Sequence, residues 1–139
     1  MKKAPTRIGP KMIHSMIRVL DLQRAIDFYA KALGLGLFEQ FEFKDFTLVY
    51  LRNEESDFEL ELTVNHGRSK PYGHDDGYGH LAVCVEDCQV ERQRLSSLGL
   101  DPGQIKEIHR NGALLARFFF IEDPDGYRIE VLERYGRYR

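Results

Sequence analysis

Gly79-His80-Leu81-Ala82-Val83-Cys84-Val85-Glu86-Asp87-Cys88-Gln89 repeats a pattern that the chain has already stated once, from His14 onward. An offset of 66 residues carries His14 onto His80, Val19 onto Val85, Asp21 onto Asp87 and Gln23 onto Gln89. One residue is then dropped, and Gly34-Leu35 answers Gly99-Leu100 at an offset of 65. Two copies of a unit in one chain indicate two packed copies of one supersecondary motif.

The first copy opens with a strand over residues 12–19. Its alternation puts Ile13, Ser15, Ile17 and Val19 on one face and His14, Met16 and Arg18 on the other. Asp21 caps a helix in which Leu22, Ala25, Ile26, Tyr29 and Leu33 form one stripe, and Gly34 supplies a left-handed stop. Strand-like runs follow at 35–43, 46–52 and 58–65, with turns at Lys44-Asp45 and over 53–57. In the last run Phe58, Leu60, Leu62 and Val64 point one way, and Glu59, Glu61, Thr63 and Asn65 the other. The unit reads βαβββ, and the turn-rich residues 66–77 link it to its copy.

In the second copy His80, Ala82 and Cys84 share a strand face opposite Leu81, Val83 and Val85. Asp87 caps a helix that ends at Gly99; its stripe of Cys88, Leu95 and Leu98 is thin, so the helix assignment leans on the repeat. Strand-like runs at 104–108, 116–122 and 127–132 complete it, the last two joined by the turn Asp123-Pro124-Asp125-Gly126. Aligning Phe58-Glu59-Leu60-Glu61-Leu62 with Tyr127-Arg128-Ile129-Glu130-Val131 places Glu61 on Glu130 at an offset of 69. The expected architecture is α+β: a single domain of two tandem βαβββ modules, at about 12–65 and 79–133, whose curved mixed sheets surround a polar metal-binding cleft. Residues 1–11, with Pro5, Gly9, Pro10 and four cations, and residues 134–139 read as loose tails.

A chain of 139 residues buries an ordinary core without disulfides. Hydrophobic content of 42% beside 30% charged residues is that of a globular protein, and no apolar run approaches the roughly 20 residues of a membrane span. The basic opening Met1-Lys2-Lys3 leads into Thr6-Arg7 and Gly9-Pro10 rather than an apolar run, so a cytoplasmic setting is expected. A net charge of −2 creates no general attraction for nucleic acid or an anionic membrane. The ending Arg134-Tyr135-Gly136-Arg137-Tyr138-Arg139 interleaves basic and aromatic residues over only six positions, which suits a solvated tail or a partner contact. Cys84 and Cys88 lack structural-zinc spacing and read as buried thiols. His66, His74 and His109 fall in predicted loops without repeat partners and read as surface residues.

The chemistry concentrates at the repeated positions. His14, Glu61, His80 and Glu130 all lie on the strand face away from the helix-covered aliphatic side chains. Two neutral imidazoles and two carboxylates offset the charge of a divalent ion and, with two waters, fill an octahedral N/O shell, which suits Ni²⁺, Co²⁺, Zn²⁺ or Fe²⁺ better than Ca²⁺. Arg18 and Asn65 stand further along the same faces, where a cation and an amide suit the far end of an extended anionic substrate.

Four stretches together resemble the glyoxalase I family of the vicinal-oxygen-chelate superfamily, over residues 12–133. They are His14-Ser15-Met16-Ile17-Arg18-Val19 with Asp21-Leu22 and Asp27-Phe28-Tyr29; Glu61-Leu62-Thr63-Val64-Asn65; Tyr78-Gly79-His80; and Glu122-Asp123-Pro124-Asp125-Gly126-Tyr127-Arg128-Ile129-Glu130. The resemblance implies that His14, Glu61, His80 and Glu130 bind the metal, nickel or cobalt being favoured in compact bacterial-type members and zinc the next candidate. It implies glutathione as co-substrate, with Arg18 and Asn65 holding its γ-glutamyl end. It also implies a homodimer whose shared sites take His14 and Glu61 from one subunit and His80 and Glu130 from the other. The reaction implied is isomerisation of the glutathione–methylglyoxal hemithioacetal to S-lactoylglutathione, Glu130 and Glu61 dividing the proton transfers.

Two places depart from the family pattern. Asp75-Asp76-Gly77 stands where some members carry a glutathione-binding arginine, and residues 111–120 are unusually apolar. Arg110 and Arg117 are the candidate replacements for the clamp on the glycyl carboxylate. The superfamily also includes epimerases, thiol transferases, dioxygenases and metal-free drug binders. The epimerases usually carry glutamine where Glu61 stands, the dioxygenases need only two histidines and one carboxylate, and the drug binders lack the ligand set.

Overall fold

Asp21 and Asp87 both hold extended backbone and turn their carboxylates onto first-turn amides that a helix leaves unpaired. Asp21 accepts from Arg24 N at 2.9 Å, and Asp87 from Gln89 N and Val90 N at 2.9 and 3.1 Å. The helices they start are α1 (Leu22–Leu33) and α2 (Cys88–Ser97) of a computed structural model that describes residues 9–139. The expected arm of residues 1–11 falls mostly outside the described residues; within them, Lys11 pairs with Asp57. Gly34, at φ 64°, stops α1 and lets Leu35 N donate to Tyr29 O at 3.1 Å.

The stripe of α1 is broader than its apolar spacing predicted, because Phe28 and Ala32 are buried with Ala25 and Tyr29. That of α2 is thinner still. Only Cys88 and Leu95 are buried, while Leu98, expected on the stripe, becomes the exposed C-cap ahead of the left-handed Gly99. Cross-module hydrogen bonds supply what apolar contact does not: Arg94 on α2 donates to Lys31 O at 2.9 Å and Ala32 O at 2.7 Å at the end of α1.

The strands of the first module are β1 (His14–Arg18), β2 (Gly36–Glu42), β3 (Phe46–Asn53) and β4 (Ser56–Asn65); those of the second are β5 (Leu81–Val85), β6 (Lys106–Arg110), β7 (Ala113–Glu122) and β8 (Arg128–Glu133). Each module is one four-stranded sheet, ordered β1-β4-β3-β2 and β5-β8-β7-β6, with a parallel first pair and antiparallel remainder. The repeat extends to register, since Met16 opposes Glu61 and Ala82, its counterpart, opposes Glu130. Several boundaries differ from the periodicity. The turn expected over 53–57 tightens until Asn53 pairs with Ser56, β7 starts at Ala113, and β6 runs through Arg110, so His109 is a strand residue. Ile13 precedes β1 and is 58% exposed, outside the helix cover expected for it.

One apolar core runs through both modules, joining Val49, Leu62 and Tyr29 to Phe119, Ile129 and Val131. The Asp123-Gly126 turn locks them together. Asp123 Oδ1 accepts from Asp125 N and Tyr127 N, both at 2.9 Å, and Gly126 takes φ 85°, a conformation costly for a residue with a Cβ. The folded turn then reaches into module one: Tyr29 donates its hydroxyl to Asp123 Oδ2 at 2.7 Å, Leu20 N donates to Asp125 Oδ1 at 3.0 Å, and Tyr127 donates its hydroxyl to Arg18 O at 2.8 Å.

Burial, and after it the Asp123 carboxylate, hold the Tyr29 hydroxyl far above the ordinary phenol value of 10.0. The folded chain keeps a proton that the unfolded chain loses. The resulting stabilisation is complete below about pH 10 and is lost as pH rises beyond it, by about 1.4 kcal/mol per pH unit. Tyr29→Phe is therefore expected to cost about 1–3 kcal/mol at neutral pH, by leaving Asp123 Oδ2 unpaired, and to flatten the alkaline fall in stability. Urea unfolding of parent and variant between pH 7 and 11 checks both, and an unchanged alkaline slope would refute the assignment.

The C-terminal segment is folded, contrary to its expected looseness. Arg134 N donates to Val85 O at 2.7 Å, Tyr135 and Tyr138 bridge each other, and the Tyr138 ring packs on Ala116, Phe118 and Leu132. Aromatic packing, which no local periodicity in the tail announces, holds it. No helix among the described residues is long and apolar enough to cross a membrane.

Candidate active site

Strand alternation sends one histidine and one glutamate per module to the sheet face away from the helix. On module one His14 Nε2 lies 2.8 Å from Glu61 Oε2, and on module two His80 Nε2 lies 3.4 Å from Glu130 Oε1. His14 begins β1, whereas His80 stands one residue ahead of β5 rather than inside it. Glu61 is buried and Glu130 half-buried.

An aromatic ring braces each pair. Tyr50 on β3 opposes Glu61 and meets the His14 ring edge-on at 5.7 Å; Phe120 on β7 opposes Glu130 and meets His80 edge-on at 5.4 Å. Burial, followed by the neighbouring Glu61 carboxylate, raises the Tyr50 hydroxyl above the ordinary phenol range, so it stays protonated and able to donate. These two rings were not singled out from the sequence. Their signal is the alternation of β3 and β7, readable only once the antiparallel registers with β4 and β8 are known.

The structure brings the four candidate ligands together in twos. Among the described residues no group of three or more His, Cys, Asp or Glu side chains is close enough to hold one metal ion. Each pair nonetheless has the donor chemistry of half such a site, one imidazole nitrogen and one carboxylate oxygen. On module one Glu59, opposite His14 in register, adds a buried Oε2 with no hydrogen-bond partner. Two pairs facing each other would supply two nitrogens and two anionic oxygens, so the residues present fit a divalent first-row ion.

Arg18 ends β1 on the His14 face, four residues and about 13 Å further on by strand rise. It is exposed and opposes Thr63, whose buried Oγ1 also lacks a partner. Asn65 closes β4 on the Glu61 face and donates to the Tyr72 hydroxyl at 3.0 Å. Of the two candidate clamps, Arg117 is already held by Glu107 and Glu133, each at 3.0 Å, while Arg110 is exposed at the end of β6.

The remaining histidines are not simply solvated. His66 Nε2 lies 2.8 Å from Thr47 Oγ1 and its Nδ1 2.9 Å from Lys44 O; His74 stacks on Tyr127 at 4.1 Å; His109 lies 3.5 Å from Glu107. Both cysteines are free, and burial, with Glu133 nearby, pushes the Cys88 thiol up to about 11, making it a poor ligand and nucleophile. A groove of about 860 Å³ between the modules, around Leu35, Phe58, Val83 and Arg94, contains none of the four candidate ligands. The chemistry belongs to the open sheet faces.

Residues 11–131 match the family model of the Glyoxalase/Bleomycin resistance protein/Dioxygenase superfamily. The chain is 39% identical to the lactoylglutathione lyase of Haemophilus influenzae, with 88% of this chain and 92% of that protein aligned. It is 36% identical to the lactoylglutathione lyase of Escherichia coli O157:H7 over the same shares. Among solved structures, the trypanothione-dependent glyoxalase I of Leishmania major superposes with a TM-score of 0.71 at 37% identity, covering 90% of this chain and 87% of that one. With βαβββ modules, paired His–Glu half-sites and these similarities in agreement, the chain belongs to the Glyoxalase/Bleomycin resistance protein/Dioxygenase superfamily.

Proposed function

We propose that this chain is a lactoylglutathione lyase, isomerising the hemithioacetal of glutathione and methylglyoxal to S-lactoylglutathione. The observation that carries the reading is the pair of equivalent His–Glu half-sites, His14 with Glu61 and His80 with Glu130, on the open faces of two sheets in the same register. His14, Glu61, His80 and Glu130 would hold one divalent ion, Ni²⁺ or Co²⁺ before Zn²⁺. When bound, that ion supplies Lewis-acid stabilisation of the negative charge developing on the substrate's two adjacent oxygens.

The protein's own residues do the rest. Glu130 removes the proton from C1 of the hemithioacetal, and Glu61, facing the neighbouring carbon, helps return it at C2, so the two carboxylates divide base and acid roles. Tyr50, Phe120 and Phe118 give the reacting centre apolar walls that keep bulk water from competing for the proton. Arg18 and Asn65 hold the γ-glutamyl end of the thiol. Arg110, exposed and outside the Arg117 ion-pair network, is the more available clamp for the glycyl carboxylate.

The working unit in this proposal is a homodimer with two shared sites. A lone chain offers only half of the ligand set at each place, and Met16, Phe41 and Phe43 leave an apolar fringe 37–50% exposed on the open face of module one. Two free thiols suit a reducing compartment, and a cytoplasmic setting is part of the proposal.

Nickel-loaded protein given methylglyoxal and glutathione should accumulate the thioester product, followed by its ultraviolet absorbance, and lose that activity on chelation. No turnover at any glutathione concentration in protein carrying stoichiometric nickel would reject the reading.

A further inference from the structure

Beyond the His14–Glu61 pair, the end of β4 and the linker that follows it build a second polar cluster. Asn65 Nδ2 donates to the Tyr72 hydroxyl at 3.0 Å. The Tyr72 ring is itself clamped, because the Arg68 guanidinium lies 4.2 Å from its centroid and is held there by Nε donating to Lys70 O at 2.7 Å and Nη2 to Pro71 O at 3.2 Å. On the other side His66 fixes the main chain next to Asn65, its N donating to Asp45 O at 2.9 Å and its imidazole spanning Lys44 O and Thr47 Oγ1. Asn65 is thus set twice, its main chain by the β2–β3 turn and its amide by Tyr72.

The two edges of an asparagine amide have the same shape, and a flip exchanges a donor for an acceptor. With Nδ2 committed to the phenol, Oδ1 is the amide atom left for a ligand. Arg18 opposes Thr63 in register, and Asn65 follows Thr63 on the same strand face, about 7 Å further on by strand rise. Thr63 between them is 8% exposed, and its buried Oγ1 has no hydrogen-bond partner, which marks a place shaped for a ligand rather than for its own neighbours. The row presents a cation, an unpaired hydroxyl and a fixed acceptor. That is the complement of an α-amino acid head, with its carboxylate on Arg18 and its ammonium on Asn65 Oδ1.

We infer that Tyr72 is a positioning residue that sets the orientation of the Asn65 amide, so that Oδ1 receives the α-ammonium of the thiol's γ-glutamyl end and the site selects thiols with a free α-amino group. The inference rests on the proposed function and deepens it: Arg18 alone accepts any anionic thiol, and the pinned amide adds discrimination in favour of a zwitterionic one. Fixing the amide before the substrate arrives removes the cost of ordering it at binding, and it keeps the donor edge from being turned against the ammonium.

The methylglyoxal hemithioacetals of glutathione and of its desamino counterpart, glutaryl-cysteinylglycine, test it, with kcat and KM measured separately. The parent should show a KM about tenfold lower for the glutathione adduct, the share of one hydrogen bond to a charged group. Tyr72→Phe keeps the ring beneath Arg68 and removes only the hydroxyl. It should raise the KM of the glutathione adduct about fivefold and leave the KM of the desamino adduct, and kcat for both, within about twofold, because binding at one end of the substrate is all that is lost. An equal rise for both thiols, or a parental preference in the variant, would overturn the role of the hydroxyl while leaving the isomerase reading standing. A parent that turns over both adducts without preference would overturn the pairing of Oδ1 with the ammonium, with no variant needed. Turnover of neither adduct by the nickel-loaded parent would overturn the proposed function and this inference with it.

Discussion

A Glu130→Gln chain is expected to retain its metal and lose turnover by a factor on the order of 10³. Glutamine keeps the shape of the side chain and a carbonyl oxygen that can still reach a metal ion, but an amide cannot accept the C1 proton. The substitution therefore separates the two tasks assigned to this carboxylate. Glu130 is half-buried on β8 opposite Phe120, with no hydrogen bond from a neighbouring hydroxyl, so the swap disturbs little else. Metal content by elemental analysis and kcat by thioester formation give the two readings. Turnover within tenfold of the parent at full metal occupancy would show that another group takes the proton, and would return Glu61 to the position of base.

Mixing two inactive chains should restore activity. If one site takes His14 and Glu61 from one subunit and His80 and Glu130 from the other, a His14→Ala dimer has both sites short of one ligand, and so has a Glu130→Ala dimer. A mixed dimer gathers both defects into one site and leaves the other complete, so recovery of up to about half the parental activity per mixed dimer is expected. The geometry favours this outcome over a site within one chain, since His14–Glu61 and His80–Glu130 form separate pairs and no group of three such side chains among the described residues is close enough to hold one metal ion. Subunit exchange must be verified independently, by differently tagged chains purified together. Exchange without recovery would refute the shared site, because two defects inside one intrachain site cannot complement each other.

Much of the fold was legible because it is written in local pattern. Asp21 and Asp87 announced their helices by the capping chemistry they perform, Gly34 announced its stop, and the alternation of Phe58 to Asn65 put Glu61 on the face away from Leu60 and Leu62. The candidate ligands were legible for a further reason: a repeat doubles each signal, and a histidine or glutamate that recurs in the same register is seen twice. The limits of that legibility are equally physical. Helical spacing placed Leu98 on a stripe whose end the chain does not bury, and strand spacing placed His109 beyond the last residue of β6, because element ends are set by neighbours rather than by period.

Local pattern and the repeat therefore carry the two βαβββ modules and the faces of His14, Glu61, His80 and Glu130. The strand registers, the joining of the modules and what stands beside each candidate ligand come from tertiary contacts. Tyr29 reaches Asp123 across 94 residues, Arg94 reaches Ala32 across 62, Tyr138 covers Phe118 and Leu132, and Tyr50 and Phe120 arrive beside their glutamates through the turns that set hairpin register. Such contacts leave no periodic trace, since they bring together segments whose separation along the chain is irregular and whose meeting is selected by shape and by the cost of leaving a buried polar group unpaired.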